Sequence, residues 1–171
     1  MTAPLLETSR LSLRPLEEAD FDLLWAIWSE PPVREHLITL PRSLEDFRPV
    51  FDNMHSSGES LAMWTVRLRD GAVIGRCGFY EFGEDRTPEL AFLLSESAWG
   101  RGLATEAATA ALAYGFGVRR WPRVVALTRP ENLRSKRVLE KLGLENLKAI
   151  SIRNTPVDLF SIQREAWSQT P

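Results

Sequence analysis

Ser97-Ala-Trp-Gly-Arg-Gly-Leu-Ala-Thr-Glu106 lies between an apolar run, Glu89-Leu-Ala-Phe-Leu-Leu94, and an alanine-rich stretch from Gly102 to Val118. The first run predicts a strand. The second predicts a helix that is apolar around most of its circumference, with Thr105, Glu106 and Thr109 on the remainder, and a helix of that kind lies against a sheet. A loop with two glycines at this junction leaves backbone N–H groups unpaired at a helix N-terminus, beside the positive end of the dipole, and glycine lets a bulky anion approach closely. The loop therefore reads as a pyrophosphate cradle.

The flanking sequence builds a mixed α/β domain around it. Downstream, Val124-Val-Ala-Leu127 is a short continuous apolar strand, the pattern of a position buried on both faces. Leu133 to Leu142 predicts a helix, with Asn132 as N-cap, Lys141 in the last turn and Gly143 just past the end. Strands around Leu147 to Arg153 and Val157 to Arg164 follow. Upstream, Leu61 to Leu68 and Val73 to Phe82 read as a hairpin turning at Asp70-Gly71. Arg10-Leu-Ser-Leu-Arg-Pro15 alternates as a half-buried strand. Glu17 to Trp28 predicts a helix with acids in its first turn and Phe21, Leu24, Trp25 and Trp28 on its apolar face, ending before Pro31-Pro32. A second helix starts at Ser43, with Asp46 at the capping-box position, Phe47, Val50, Phe51 and Met54 on one face, and Pro49 inside it. The expectation is one domain over residues 1–171, a largely antiparallel central sheet flanked by helices.

Composition removes several function classes. The 23 acidic and 21 basic side chains leave a formal net charge of −2, which excludes a surface that binds nucleic acid all over. No apolar run reaches the ~18 residues of a membrane span, and Met1 to Arg10 lacks a signal peptide's hydrophobic region, so no membrane partner is expected. Cys77 is the only cysteine, which excludes an intrachain disulfide and points to the cytoplasm. With only His36 and His55, a three-histidine zinc site is impossible, and no metal is expected. No G-x-S-x-G elbow supports a serine triad. Charge is unevenly spread: residues 1–60 carry a local balance of −6, and residues 119–141 one of +6.

Two phosphate-binding patterns compete for the loop. A dinucleotide fingerprint would place Thr105 where Gly or Ala belongs, and would want an acid where Thr128-Arg129 stands. The better match is Trp99-Gly-Arg-Gly102-Leu-Ala104, with small residues at Gly102 and Ala104. It is accompanied by Glu89 ten residues before Trp99, by Thr105-Glu106-Ala107 opening the helix, by Asn132-x-x-Ser135-x-Arg137-Val-Leu-Glu-Lys-Leu-Gly143, and by Asp158-Leu-Phe-Ser-Ile162. This ordered set resembles the GCN5-related N-acetyltransferase (GNAT) superfamily, whose loop reads Q/R-x-x-G-x-G/A. Trp99 in the place of Gln or Arg resembles the ribosomal-protein N-terminal acetyltransferases of the Rim type within it.

The resemblance implies a GNAT-like fold with splayed central strands, acetyl-CoA as cosubstrate and an amine as acceptor, a protein N-terminus or a small molecule. It places the pyrophosphate on backbone N–H groups of Gly100, Arg101, Gly102, Leu103 and Ala104, counts Thr105 and Trp99 in the same cofactor site with Trp99 wedging the loop against the sheet, and lays the pantetheine arm between the strands ending near Leu94 and Leu127. Backbone N–H groups of Phe92, Leu93 and Leu94 are candidates to polarise the thioester carbonyl. Arg101 and Arg137 are candidate phosphate contacts, and Asn132 either contacts the pantetheine or only caps its helix. Glu89 is the candidate base, or else a strand residue paired with an arginine. Ser135 is the candidate donor to the leaving thiolate, or else a serine satisfying local backbone. A non-catalytic acyl-CoA-binding module is the alternative, and the resemblance is compatible with a monomer or a homodimer.

Overall fold

The computed structural model describes residues 3–168, without the side chains of residues 58–60. The ends of the domain expected over 1–171, and the charge of Glu59, lie outside the described residues. In chain order the elements are β1 (Leu6–Glu7), β2 (Leu11–Pro15), α1 (Phe21–Trp28), α2 (Pro31–Arg34), α3 (Leu44–Ser60), β3 (Met63–Leu68), β4 (Val73–Phe82), β5 (Thr87–Leu94), α4 (Leu103–Ala113), β6 (Arg123–Thr128), α5 (Leu133–Lys141), β7 (Glu145–Ile152) and β8 (Thr155–Gln163). The eight strands form one sheet in the order β1-β2-β3-β4-β5-β6-β8-β7. Every neighbouring pair is antiparallel except β5 and β6, which α4 connects in parallel.

Two apolar layers cover the sheet. On one face, Ala107, Ala108, Ala111 and Leu112 of α4 and Leu139 of α5 pack on Cys77, Phe79, Leu90, Val124, Ala126 and Phe160. On the other, Leu24, Ile27 and Trp28 of α1 join Phe47, Phe51 and Met54 of α3 over Met63. The 3.6-residue spacing read from the sequence thus describes real packed stripes in α1 and α3.

Local differences from the expected elements have physical causes. Pro31 and Pro32 do not merely end a helix; they open the one-turn α2, where a proline's missing N–H costs nothing. The Ser43 side chain accepts from the Asp46 N–H at 3.1 Å, but Asp46 answers to the Arg42 N–H rather than to that of Ser43. The alanine-rich helix runs regularly only to Ala113 and widens over Tyr114–Val118, where the Arg119 N–H reaches the Tyr114 carbonyl at 3.1 Å. Gly115 sits in that wide turn because a Cβ there would stand 2.7 Å from the Trp121 ring. β7, at the sheet's edge, is exposed over most of its length.

Candidate active site

The site begins where β5 and β6 part. Their parallel ladder holds only two register pairs, Glu89 with Val125 and Leu90 with Ala126. Beyond it β5 stays paired with β4 up to Leu94, and β6 stays paired with β8 up to Thr128. The Ser95 N–H bonds the Ile74 carbonyl at 2.8 Å, and pairing alternates from there, so Leu93 and Ala91 direct their backbone groups at β4. Phe92 and Leu94 direct theirs into the opening. Of the three consecutive residues singled out as amide donors, Phe92 and Leu94 therefore face the cleft, while the Leu93 amide is taken by Arg76.

The two-glycine loop closes the wide end. Gly100 and Gly102 have φ of +71° and +76°, left-handed values that a side chain resists. Gly102 caps α4, no side chain caps it, and no acceptor among the described residues meets the backbone N–H groups of residues 100–105. A Cβ on Gly100 would find open space, so the loop presents bare backbone to solvent. Trp99 braces it: its indole N–H donates to the Leu94 carbonyl at 2.8 Å, and its ring packs on the core.

A second brace was not foreseen from the sequence. Arg10 donates from Nη1 to the Arg101 carbonyl at 2.8 Å and from Nε to Glu106 at 2.6 Å, and Glu106 also accepts from the Thr8 and Ser9 hydroxyls and the Arg10 N–H. Burial pushes the Glu106 carboxyl up, but the bonds from Thr8 and Arg10 outweigh it and hold the group below the usual range. The β1–β2 turn is thereby bolted to the first turn of α4.

Helix α5 approaches from the same end of the sheet. Asn132 caps it, its Oδ1 accepting from the Ser135 N–H at 3.1 Å, and the Arg134 guanidinium stacks 4.9 Å from the centre of the Trp99 ring. Lys136 reaches the buried Asp158 of β8 at 2.6 Å and anchors the helix to the sheet. The half-buried Ser135 hydroxyl makes no hydrogen bond among the described residues, and the exposed side chains of Arg101 and Arg137 make no ion pair there.

Glu89 occupies the last turn of ladder before the opening, on the face covered by α1 and α3. Tyr80 stands directly opposite it on β4. Its carboxylate accepts no hydrogen bond and forms no ion pair among the described residues. Desolvation raises its pKa to about 7, against the opposing pull of the Arg76 charge. Tyr80 lies on β4 facing Glu89, while Tyr114 is buried in the opposite layer against Trp64.

A family model described as an acetyltransferase (GNAT) domain matches residues 10–145. The chain belongs to the GNAT acetyltransferase family. Its GNAT relatives include an uncharacterized N-acetyltransferase, p20 of Bacillus licheniformis, 29% identical over 145 residues that cover 82% of each chain. The GNAT acetyltransferase of Bacillus anthracis superposes with a TM-score of 0.81 at 24% identity, over 95% of this chain and 99% of that one. Mycobacterium smegmatis RimJ, solved in complex with CoA-disulfide, superposes with a TM-score of 0.75 at 18% identity, over 91% and 82% of the two chains. That last likeness concerns the fold and not the Rim-type subgroup. As a GNAT acetyltransferase the chain is an acyl-transfer enzyme with a mixed eight-stranded sheet flanked by helices.

The GNAT framework changes the meaning of the two charge blocks. The basic segment splits. Arg119 and Arg123 lie at the start of β6, bonded to the Leu61 carbonyl and to Asp85, a strand's length (~17 Å) from the cleft. Only its second half, from Arg129 onward, adjoins the loop. The acidic third is largely occupied by structure: Glu7 pairs with Arg69, Asp20 with Arg67, Glu18 and Asp52 with Arg48, and Glu30 holds the Ser95 hydroxyl and the Glu96 N–H. Among the described residues no three histidine, cysteine or acidic side chains gather as metal ligands, and no helix is long and apolar enough to cross a membrane.

Proposed function

We propose that this GNAT enzyme moves the acetyl group of acetyl-CoA to a primary amine by direct attack, with Glu89 as base and Ser135 as donor to the leaving thiolate. The observation that carries the reading is Glu89: a half-buried, unpaired carboxylate held near neutrality at the point where β5 and β6 separate. A base with a pKa of about 7 is matched to taking a proton from an ammonium at ordinary pH.

The fit of acetyl-CoA rests on this chain's own backbone. Six consecutive N–H groups, 100–105, open at a helix N-terminus beside two left-handed glycines, form a cradle with the chemistry of a pyrophosphate site. The Phe92 and Leu94 N–H groups offer the cleft an edge to which the amides of a pantetheine arm can pair, and donors for a carbonyl oxygen. Arg101 and Arg137 stand ready for the outer phosphate, and Asn132, with its Oδ1 held by the Ser135 N–H, keeps its amide donors for the arm. When bound, acetyl-CoA supplies a thioester whose C–S bond is exchanged for an amide C–N bond.

Glu89 takes one proton from the attacking ammonium, directly or through a water, and frees its lone pair. The Ser135 hydroxyl donates a hydrogen bond to the departing sulfur, and the second proton lost by the nitrogen as the C–N bond forms passes through solvent to that sulfur, which ends as a thiol. Incubating the protein with acetyl-CoA and a panel of primary amines, with thiol release and product mass followed together, tests the whole scheme. Acetylated amine at a rate that collapses in Glu89→Gln is expected; absence of coenzyme A binding in calorimetry would overturn it.

A further inference from the structure

One cation on the Glu89 face has no hydrogen-bond partner among the described residues. Arg76 projects from β4, opposite Leu93, and is 8% exposed. Its guanidinium carries five N–H donors and no acceptor. Not one donates to an atom of the described residues. Nε and Nη1 are shut off from water and unpaired, leaving Nη2 as the open corner. The group is held in place by rings alone, 5.3 Å from the centres of Trp28 and Tyr80. Every other arginine that is less than about a third exposed reaches a carboxylate or a carbonyl, as Arg67 does with Asp20 and Arg129 with Glu131. A buried charge without hydrogen bonds is among the costliest arrangements in a protein, and nature keeps few of them without a use.

The surroundings supply the use. Arg76 and Glu89 feel each other's charge without closing into an ion pair. Along β5 the same face presents Glu89, Ala91 and Leu93, each only half-buried, with Leu93 packed against the layer of α1 and α3. Half-buried Ala91, the smallest side chain of the strip, stands between the positions of the carboxylate and the guanidinium. A ligand lying along the strip meets an acceptor for its ammonium at one end and a cation for an anion at the other. The acids of the first third do not compete for Arg76, because those near α1 and α3 are engaged with Arg48, Arg67, Ser95 and Glu96.

We propose that the acceptor is a free amino acid, its ammonium delivered to Glu89 and its carboxylate bound by Arg76 against the rings of Trp28 and Tyr80. The inference rests on the acetyl-transfer reading above and names the acceptor class for that site. Guanidinium favours a planar carboxylate over any neutral amide, and a site built around it discriminates strongly against the analogue that leaves it unpaired. Arg76 is then a specificity residue that touches the acceptor, and the bond changes are those already given: one ammonium proton to Glu89, C–N formed, C–S broken, and the second nitrogen proton passed through solvent to the released thiol.

The test pairs acids with amides. The full-length protein with saturating acetyl-CoA is assayed against each of the twenty L-amino acids and the matching C-terminal carboxamides. In parallel, N-acetyl amino acids and their carboxamides are titrated calorimetrically into the protein with coenzyme A present, a measurement that needs no turnover. At least one amino acid is expected to exceed its carboxamide by about tenfold or more in kcat/KM, the scale of one hydrogen bond to a charged group. In Arg76→Gln that preference falls to within about twofold while the KM for acetyl-CoA holds, and Arg76→Lys keeps part of it. The wild-type ratio decides even if a variant fails to fold. Equal use of acid and amide, or a preference that survives Arg76→Gln, overturns the inference. Turnover of polyamines or peptides alone would overturn it while leaving acetyl transfer standing. If no amine is acetylated, the transfer reading fails, and the calorimetric acid-to-amide ratio still decides the role of Arg76.

Discussion

The start of α4 and the opposite face of β5 each hold a partly buried glutamate, and the fold treats the two in opposite ways. Glu106 is wrapped by donors from Thr8, Ser9 and Arg10 and titrates below its usual range. Glu89 is left with a charge nearby but no donor, and titrates near neutrality. One carboxylate is finished by the protein and the other awaits something brought from outside. Satisfied polar groups mark the scaffold, and unsatisfied ones mark where a ligand completes the structure.

The largest expected effect breaks the Glu89 side of that contrast. Glu89→Gln should lower kcat/KM by about 10²–10⁴-fold, the usual weight of a general base, with coenzyme A affinity unchanged in calorimetry. A variant within twofold of wild type would remove Glu89 from the chemistry. Next in size, Gly102→Val puts a branched side chain at φ +76° beside the Arg10 Nη2, 3.4 Å from where its Cβ would stand. It should weaken acetyl-CoA binding by about tenfold or more while the domain stays folded by circular dichroism, at a conformational cost of about 1–2 kcal/mol. Unchanged affinity would contradict the cradle.

Glu106→Ala probes the finished carboxylate. It removes the acceptor shared by Thr8, Ser9 and Arg10, so it should destabilise the fold by about 1–3 kcal/mol in urea titration and loosen the loop, leaving the pH dependence of kcat in place. The two glutamates also tilt stability with pH in opposite senses. Glu106, with its folded pKa lowered, gives stability that is present above the ordinary carboxylate range and is lost as pH falls through its folded pKa. Glu89, raised to about 7, binds more protons folded than unfolded, so its share is present at low pH and is lost as pH rises from about 4.5 to about 7. Between pH 5 and 8, Glu89→Gln should therefore flatten a downward slope in stability. Over that same interval the wild-type rate rises with pH, because the base must be ionised; a rate that falls there would exclude it.

The same contrast explains what was legible from the residues alone. The loop and its helix could be read because their conformation is local: Gly100, Gly102 and the stretch up to Thr105 announce left-handed turns and an open amide edge whatever the distant chain does. The strands were legible from Glu89 to Leu94 and from Val124 to Leu127 for the same local reason. Arg76 was not, since its significance depends on Leu93, Trp28 and Tyr80, which only the register of β4 on β5 and the seating of α1 bring together. Its trace in the sequence is a lone charge inside Val73-Ile-Gly-Arg-Cys-Gly-Phe79, an apolar strand where a cation has no business unless something meets it. The charge blocks misled by being read along the chain. Arg119 and Arg123 are near Lys136 in sequence but lie just before and at the start of β6, and most first-third acids are paired or cap backbone, so neither block acts as one unit.

Cys77 acquires a meaning in this setting. Under the proposed reaction a thiol is liberated at every turnover, a reagent able to form mixed disulfides with sulfhydryls that it can reach. The single cysteine of this chain points into the α4 layer, wholly buried, and burial pushes its thiol up to about 12. With almost no thiolate to attack a disulfide, and no access for one, Cys77 is expected to stay unmodified when the protein is incubated with oxidised coenzyme A, a result that intact-mass measurement checks.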